Sequence, residues 1–513
     1  MVWSRKAPPA FRFIAALLSA PILAIPATLA HAQESPARAI VETTFTAVSQ
    51  RAAALSQTAY VAPPTDLPAP FADLDYDGYR KLRPLPEAMV WGEAGNPFGI
   101  QLLPRGSLYR EPVAVHFVGR NGEVETFASD SFVDFVDFPE ATPADRAALG
   151  VSGFRAITRP GVAGEGYEFA VFQGGTYFRA TGQGGHYGVS ARALALSTAS
   201  GAAEEFPAFT DFWIFEPASG DETLTLLALS DAPSAAAAYR FTLTPGGDAR
   251  IDVVADIHPR VDISEAGVAP LSSMFLRGPA DEAARTDARP EVHDSDGLSI
   301  VSASGEHVWR PLANPAHTQV SAFLGAPVRF CLEQRERHAE AYADAEAKYE
   351  RRASVAIEPV GDWGAGDIRL LEIPTANEYA DNIAAFWRPA DIWRAGEPQR
   401  IAYRLHFSAA EPLPGPARVI ATQAGLAPES TSTHRFIITF RDDAIVAPGR
   451  LTPEVTSTAG VISNIRVASD GDRLLRLSFD LEPGDAPVAE LRVALHGDAS
   501  QLTETWLFRW TPD

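Results

Sequence analysis

Two acidic clusters hold the residue types needed to break a glycosidic bond. The first is Arg289-Pro-Glu291-Val-His293-Asp294-Ser-Asp296-Gly297-Leu. The second is Glu372-Ile-Pro-Thr375-Ala-Asn377-Glu378-Tyr379-Ala-Asp381-Asn382. Trp309-Arg310-Pro-Leu-Ala-Asn314-Pro lies between them. A carboxyl with a raised pKa can protonate a leaving oxygen while a second carboxylate activates water. Aromatic faces suit sugar rings, and Asn, Asp and Arg fork onto hydroxyls. The same residues also have an ordinary structural use. Asp-Ser-Asp-Gly makes a good turn, and Ala-Asn-Glu-x-x-Asp can cap a helix.

Other chemistries fail on spacing. Asp73-Leu-Asp75-Tyr-Asp77-Gly78 begins like a calcium loop, but its last ligand position is Pro84 instead of a bidentate Glu. Gly182-Gln-Gly184 resembles a dinucleotide turn, yet Tyr187 stands where the third glycine belongs. There is no Gly-rich loop ending in Gly-Lys-Ser/Thr, no His-Glu-x-x-His and no Gly-x-Ser-x-Gly. The 11 histidines are scattered without metal-ligand spacing. Neither a nucleotide cofactor nor a catalytic metal is expected. Cys331 is the single cysteine, so no intrachain disulfide can form, and it reads as a small buried hydrophobe.

The elements that must position the clusters are strands. Glu111–Val118, Tyr167–Gln173, Thr176–Thr181, Tyr187–Leu196, Phe212–Phe215, Thr223–Leu229, Ala238–Leu243 and Arg250–Ile257 are rich in Val, Phe, Tyr, Thr or Ile. Most are separated by Gly, Pro, Asp or Ser. This predicts an all-β chain with a large N-terminal β-sandwich. In it Tyr177 and Arg179 share one face, toward core or groove. Leu332–Arg352 interrupts the pattern with a charged, Ala-rich run without Gly or Pro. It is predicted as a helix or a long ordered excursion, the kind of insertion from which lids are built. The stretch Arg388-Pro-Ala-Asp-Ile-Trp-Arg-Ala-Gly-Glu-Pro reads as a linker. The division therefore falls into residues 33–390 and a smaller immunoglobulin-like sandwich over 391–513, beginning with a strand at Ile401–Phe407.

Composition bounds the compartment and partners. Arg5, Lys6 and Arg12 precede an uncharged run from Phe13 to Ala30, and Ala30-His31-Ala32 offers a cleavage site. Residues 1–32 are expected to be a secretory signal peptide, with no stable membrane insertion. A net charge of −22 repels phosphate backbones, so nucleic acid is not an expected partner. Neutral sugars are not repelled.

The chain resembles the OpgG/OpgD (MdoG/MdoD) family of osmoregulated periplasmic glucan proteins. The resemblance is carried in order by Tyr76-Asp-Gly-Tyr79-Arg80-Lys-Leu-Arg83, Gly153-Phe154-Arg155, Glu168-Phe-Ala-Val-Phe-Gln-Gly-Gly-Thr-Tyr177-Phe178-Arg179, and Tyr187-Gly188-Val-Ser190-Ala-Arg192. It continues through Glu204-Glu205-Phe206-Pro207, Ala269-Pro-Leu-Ser-Ser273-Met274-Phe275, the two acidic clusters and Trp309-Arg310-Pro-Leu. It implies a periplasmic enzyme that hydrolyses β-1,2-glucan with inversion. Asp381 is then the general acid, supported by Glu378, and Asp294 the general base. Tyr349 and Arg352 become lid residues. The proton path is implied to be a relay through a substrate hydroxyl and ordered water, allowing the carboxylates to sit beyond the usual ~6.5–9.5 Å.

Trp309, beside Arg310, is expected to be a sugar platform. Arg310, Trp387, Tyr177, Arg179 and His293 are further candidate sugar contacts; His293 reads equally as a core histidine or a support for Asp294. The chain departs from the family pattern at Tyr379-Ala380, Ala353 and Ala421-Thr-Gln423, all expected around the substrate channel. Two other readings use the same scaffold. One is a transglycosylase that passes the cleaved chain to a sugar hydroxyl and cyclises it. The other is a non-catalytic glucan-binding scaffold that contacts a membrane glucosyltransferase.

Overall fold

The computed structural model describes residues 36–93, 95–128, 131–159, 166–280, 288–408, 415–441, 451–469, 473–497 and 501–512. The expected signal segment lies outside the described residues. As the alternating patterns predict, the fold is all-β.

Among the described residues, one large sheet has ten strands. Its consecutive members from one edge are Phe98–Pro104, Val151–Thr158, Tyr167–Gln173, Tyr177–Ala180, Ser190–Arg192, Ala266–Ser273, Ile383–Pro389, Gly366–Glu372 and Gln319–Leu324, with Leu194–Leu196 paired off this path. The facing sheet has fourteen, including the consecutive strands Gly297–Ser302, Pro327–Glu333, Ser354–Pro359, Gln399–Ser408, Ala249–Pro259, Ala235–Thr244, Leu224–Asp231 and Ala208–Phe215.

The core lies between these sheets. Register puts Phe154, Phe172 and Phe178 in one cross-strand row, each ring stacked on the next at 5.2 Å. From the opposite sheet Phe212 meets Phe154 edge-on at 5.0 Å, and Phe241 meets Phe172 and Phe178 at 5.2 and 5.3 Å. Such pairs contribute about 0.5–1.5 kcal/mol each beyond area burial. Because successive side chains alternate, burying Phe178 turns Tyr177 and Arg179 to the outer face of the ten-stranded sheet.

Two features differ from the sequence reading. Helix Pro36–Ser56 was not anticipated. Phe45, Val48 and Ala52 give it a sparse apolar stripe among Thr, Ser and Ala, and that stripe packs on Trp213, Leu227, Leu229 and Ala238. The helix covers the outer face of the fourteen-stranded sheet, which explains why Leu224–Asp231 is apolar on both faces.

Strand Gln399–Ser408, assigned by the sequence reading to the second unit, ladders between Ala249–Pro259 and Ser354–Pro359 in the first. The Pro- and Gly-containing stretch before it crosses from Ile383–Pro389 in one sheet to this strand in the other. A sheet-to-sheet crossover and an interdomain linker share the same composition.

The smaller unit stacks the four-stranded sheet Arg418–Leu426, His434–Arg441, Leu474–Glu482 and Val461–Ser469 on Thr452–Ser457, Ala489–His496 and Thr505–Trp510. Four strands on three is the immunoglobulin-type count. Phe436, Phe479, Trp506 and Phe508 fill its core, where Trp506 Nε1 donates to Thr422 Oγ1 at 2.9 Å. Thr505–Trp510 also pairs in parallel with His307–Pro311, so the layer runs on into the large sheet.

Candidate active site

Asp294 follows the two-residue strand Val292–His293, which pairs with Phe275–Arg277. Its backbone N–H donates to Met274 O at 2.8 Å, and the next side chain, Ser295, exchanges a 2.6 Å hydrogen bond with Ser273. This turn holds the Asp294 carboxyl in the body of the protein, 5% exposed. Burial pushes it up to about 6. The Arg352 guanidinium opposes that push, Asp381 adds to it, and Arg179 again lowers it. Asp294 and Asp381 thus lie within electrostatic reach of each other.

Arg352 comes from the segment that the sequence singled out. Pro327–Glu333 and Ser354–Pro359 are adjacent antiparallel strands, and residues 334–353 form an excursion between them. The excursion contains single turns at Ala339–Tyr342 and Tyr349–Arg351. Tyr342 and Tyr349 bury against Met274 and Val292 in a small core of their own. Asp344 Oδ1 accepts the N–H groups of Glu346 and Ala347 at 3.0 and 2.9 Å, and Arg337 donates to the carbonyls of Glu350 and Arg352 at 3.0 and 2.6 Å.

At the end of the excursion Arg352 Nη1 donates to Asp294 Oδ1, with the guanidinium 4.4 Å from the Tyr349 ring centre. Tyr349 OH donates to Glu378 Oε2 at 3.1 Å. Arg289 also binds Glu378, at 2.6 Å, and Asp344, at 2.8 Å. One connected set of side chains therefore joins both acidic clusters to the excursion.

The Asp381 loop is pinned at its base. Asn382 is 3% exposed. Its Oδ1 accepts from Phe275 N at 2.8 Å, and its Nδ2 donates to the carbonyls of Phe275 and Ile373, both at 2.9 Å. Asn314 ties the other end, accepting from Thr375 N at 2.9 Å and donating to Thr375 O and Leu276 O at 2.9 and 3.0 Å. Asp381 itself is exposed, and Tyr379 beside it is 89% exposed.

Outward from Asp294, register lines up Gln101, Arg155, Val171 and Arg179 across the sheet. Arg155 binds Gln101 and Glu168 at 2.6 and 2.9 Å, and Tyr187 OH donates to the other Glu168 oxygen at 3.0 Å. The result is a polar strip leading away from the two carboxylates.

A family model described as periplasmic glucan biosynthesis protein, MdoG, matches residues 44–510. The chain belongs to this family. The MdoG match takes in both sandwiches, the excursion and both acidic clusters. The chain is 42% identical to glucans biosynthesis protein G of Rhodopseudomonas palustris strain BisA53, over 97% of this chain and 99% of that one. It is 41% identical to glucans biosynthesis protein G 1 of Shewanella oneidensis, covering 89% and 85%, and 39% identical to glucans biosynthesis protein G of Shewanella baltica strain OS195, covering 96% and 91%.

In this MdoG-family fold, Asp294, Asp381, Tyr349, Arg352, Glu378 and Arg179 come together. Tyr177 is on the same outer face, with the Arg192 guanidinium 5.3 Å from its ring centre. Four expected sugar contacts are elsewhere. Trp309 is buried in the core of the smaller unit, its ring capped by Arg335 at 3.4 Å. Arg310 is 2% exposed and pairs with Glu372 at 3.0 Å. Trp387 lies between the sheets against Trp363, ring centres 5.2 Å apart. His293 has no exposed surface and lies behind Asp294.

An aromatic beside an arginine reads as a sugar platform only when neither is needed for packing, and here both are. Trp309→Ala is accordingly expected to lower stability by about 3–5 kcal/mol. Urea melts check this.

Arg289, Gln334, Asn382 and Gly188 escaped the sequence reading as site residues. All but Gln334 sit inside the quoted motifs, but their work is to hold neighbours, which residue type alone does not reveal.

Proposed function

We propose that the chain acts in the periplasm on glucan made there, as an inverting endo-β-1,2-glucanase. The observation carrying this reading is the buried Asp294 carboxyl, tied to Arg352 and within electrostatic reach of exposed Asp381. One carboxyl is sequestered and the other faces the solvent side of the same site. That asymmetry suits a base and an acid with separate tasks. Asp381 gives its proton to the glycosidic oxygen as the bond from that oxygen to the anomeric carbon breaks. Water attacks the same carbon from the opposite face. Its proton passes through a substrate hydroxyl and ordered water to Asp294, and the new hemiacetal has inverted configuration. Arg352 and Tyr349 close over the base as a lid, and the polar strip from Arg179 to Gln101 binds the glucan chain. The relatives' names, which speak of glucan biosynthesis, support the substrate class, and the family description, which speaks of the periplasm, supports the setting.

The test is product analysis with linear β-1,2-glucan, by chromatography, mass and NMR of the first-formed anomer, with Asp381→Asn as control. Short linear oligosaccharides released as the α-anomer support the reading. Cyclic or lengthened products would replace it with transglycosylation. Unchanged glucan that still binds would replace it with a scaffold for a membrane glucosyltransferase.

A second expectation comes from Gly188. A Cβ there would stand 2.8 Å from Arg352 Cβ. Gly188→Ala should displace Arg352 and lower kcat/KM by about tenfold to a hundredfold, the usual cost of a small misplacement. An unchanged melting curve would separate this from misfolding.

A further inference from the structure

His293 is fully buried behind the site, and its hydrogen bonds fix its charge. Gln334 Nε2 donates to two backbone carbonyls, His293 O at 2.9 Å and Tyr349 O at 3.0 Å. Both amide hydrogens are thereby used, and Gln334 Oε1 faces His293 Nδ1 at 2.9 Å. An amide oxygen only accepts, so Nδ1 carries a hydrogen. The other ring nitrogen, Nε2, lies 3.0 Å from Glu291 Oε2 and 3.6 Å from Asp296 Oδ1. Carboxylates also only accept, so Nε2 carries a hydrogen too. Two ring hydrogens make an imidazolium.

We propose that His293 is a protonation latch for the 334–353 excursion. As an imidazolium it fixes the Gln334 amide, which holds the Tyr349 carbonyl and with it Arg352 on Asp294. Loss of one ring proton leaves Nε2–H on Glu291 and turns a bare Nδ1 lone pair toward Gln334 Oε1. Relieving that clash by flipping the amide would aim its oxygen at the carbonyls of His293 and Tyr349. Either arrangement sets acceptor against acceptor in a buried site, where an unmade hydrogen bond is costly. The excursion then loses its hold at Tyr349.

The surroundings agree. Glu291 and Asp296 face the ring from its own segment. Phe275 stacks on it at 5.4 Å from the paired strand, and Tyr342 stands edge-on at 5.2 Å from the excursion. Asp296 is itself held by the N–H groups of Arg335 and Glu336. Arg337, the nearby excursion cation, uses its donors on Glu350 O, Arg352 O and Ser354 Oγ. Burial opposes a charged His293, but Asp296, Glu291 and Gln334 outweigh it and hold its pKa above the usual histidine value. A raised histidine contributes fully at low pH and is lost as pH rises through its folded pKa. The latch is therefore closed in acid and opens on the alkaline side.

A rival occupant is a divalent cation, since the ligand atoms of Glu291, His293 and Asp296 all lie within 4.8 Å of one another. The experiment separates the two. ¹⁵N NMR of histidine-labelled full-length protein, assigned with His293→Gln, should find both ring nitrogens protonated at pH 6 and unmoved by added zinc. Hydrogen exchange of residues 339–353 should rise by about tenfold as His293 titrates, the factor one charge-assisted hydrogen bond supplies. His293→Gln should show the faster rate with no pH step beyond intrinsic exchange, as should Gln334→Glu, which keeps the ring charged but cannot donate to Tyr349 O.

A singly protonated ring at pH 6, a zinc-dependent shift, or wild-type exchange in Gln334→Glu would overturn the latch. Its bearing on catalysis rests on the reading of Asp294 as the base. The exchange experiment uses no substrate, so it fails or stands independently of the glucanase reading.

Discussion

Asp381→Asn is expected to lower kcat on linear β-1,2-glucan by about 10³–10⁴-fold, the upper part of the range for a lost general acid. The upper part applies because a sugar alkoxide is a poor leaving group and depends on protonation as the bond breaks. Asparagine has nearly the same shape but no proton to give. The loop should not move, because its anchors are the side chains of Asn382 and Asn314. Asp381 is exposed, so stability should change by no more than about 0.5 kcal/mol, and KM should stay close to the parent value. The measurement is initial-rate kinetics beside a thermal melt. Retained activity would remove Asp381 from the acid role.

Asp294→Asn should pair lost activity with gained stability. The Asp294 carboxyl is raised from 3.8 to about 6, chiefly by burial. The native state therefore holds a proton that the unfolded chain has already released across that window. Stability is highest below the unfolded value, falls as pH rises through the window, and levels off above the folded value. An uncharged asparagine escapes that loss. At pH 7 the variant should be more stable by up to about 2 kcal/mol, and at pH 4 the two proteins should nearly coincide. Its kcat should fall by about 10²–10⁴-fold. On the glucanase reading, the parent protein's kcat/KM should likewise fall on the acid side near pH 6, where Asp294 takes up its proton. Chemical melts at the two pH values and a pH–rate profile check both halves. Equal stability at pH 7 would mean that Arg352 compensates the buried charge in full. A buried carboxyl kept against its own stability cost is the usual signature of a functional site.

The two acidic clusters were legible because Asp, Glu, Asn and Tyr at those spacings are few in a chain dominated by alternating strands. The excursion was legible for the opposite reason, as the one charged run lacking the strand pattern. Trp309, Arg310 and Trp387 were misread as sugar contacts because tryptophan and arginine serve cores and grooves equally well. Only a neighbour decides between them: Arg335 on Trp309, Glu372 on Arg310, Trp363 on Trp387. Strand Gln399–Ser408 was misassigned because a Pro- and Gly-containing connection does not say which sheet follows it.

By itself the sequence determined the all-β class, since period-two alternation with turn residues between strands admits little else. It also determined the net charge of −22, and its motifs carried the family likeness. Tertiary structure alone decided which carboxyl is sequestered. The pKa of Asp294 depends on burial and on Arg352, Asp381 and Arg179, which come from three other segments spread between residues 179 and 381. The same holds for His293, whose charge follows from Gln334 and Tyr349, 41 and 56 positions along the chain. Hydrogen-bond direction and desolvation are properties of neighbours in space, and a linear pattern does not contain them.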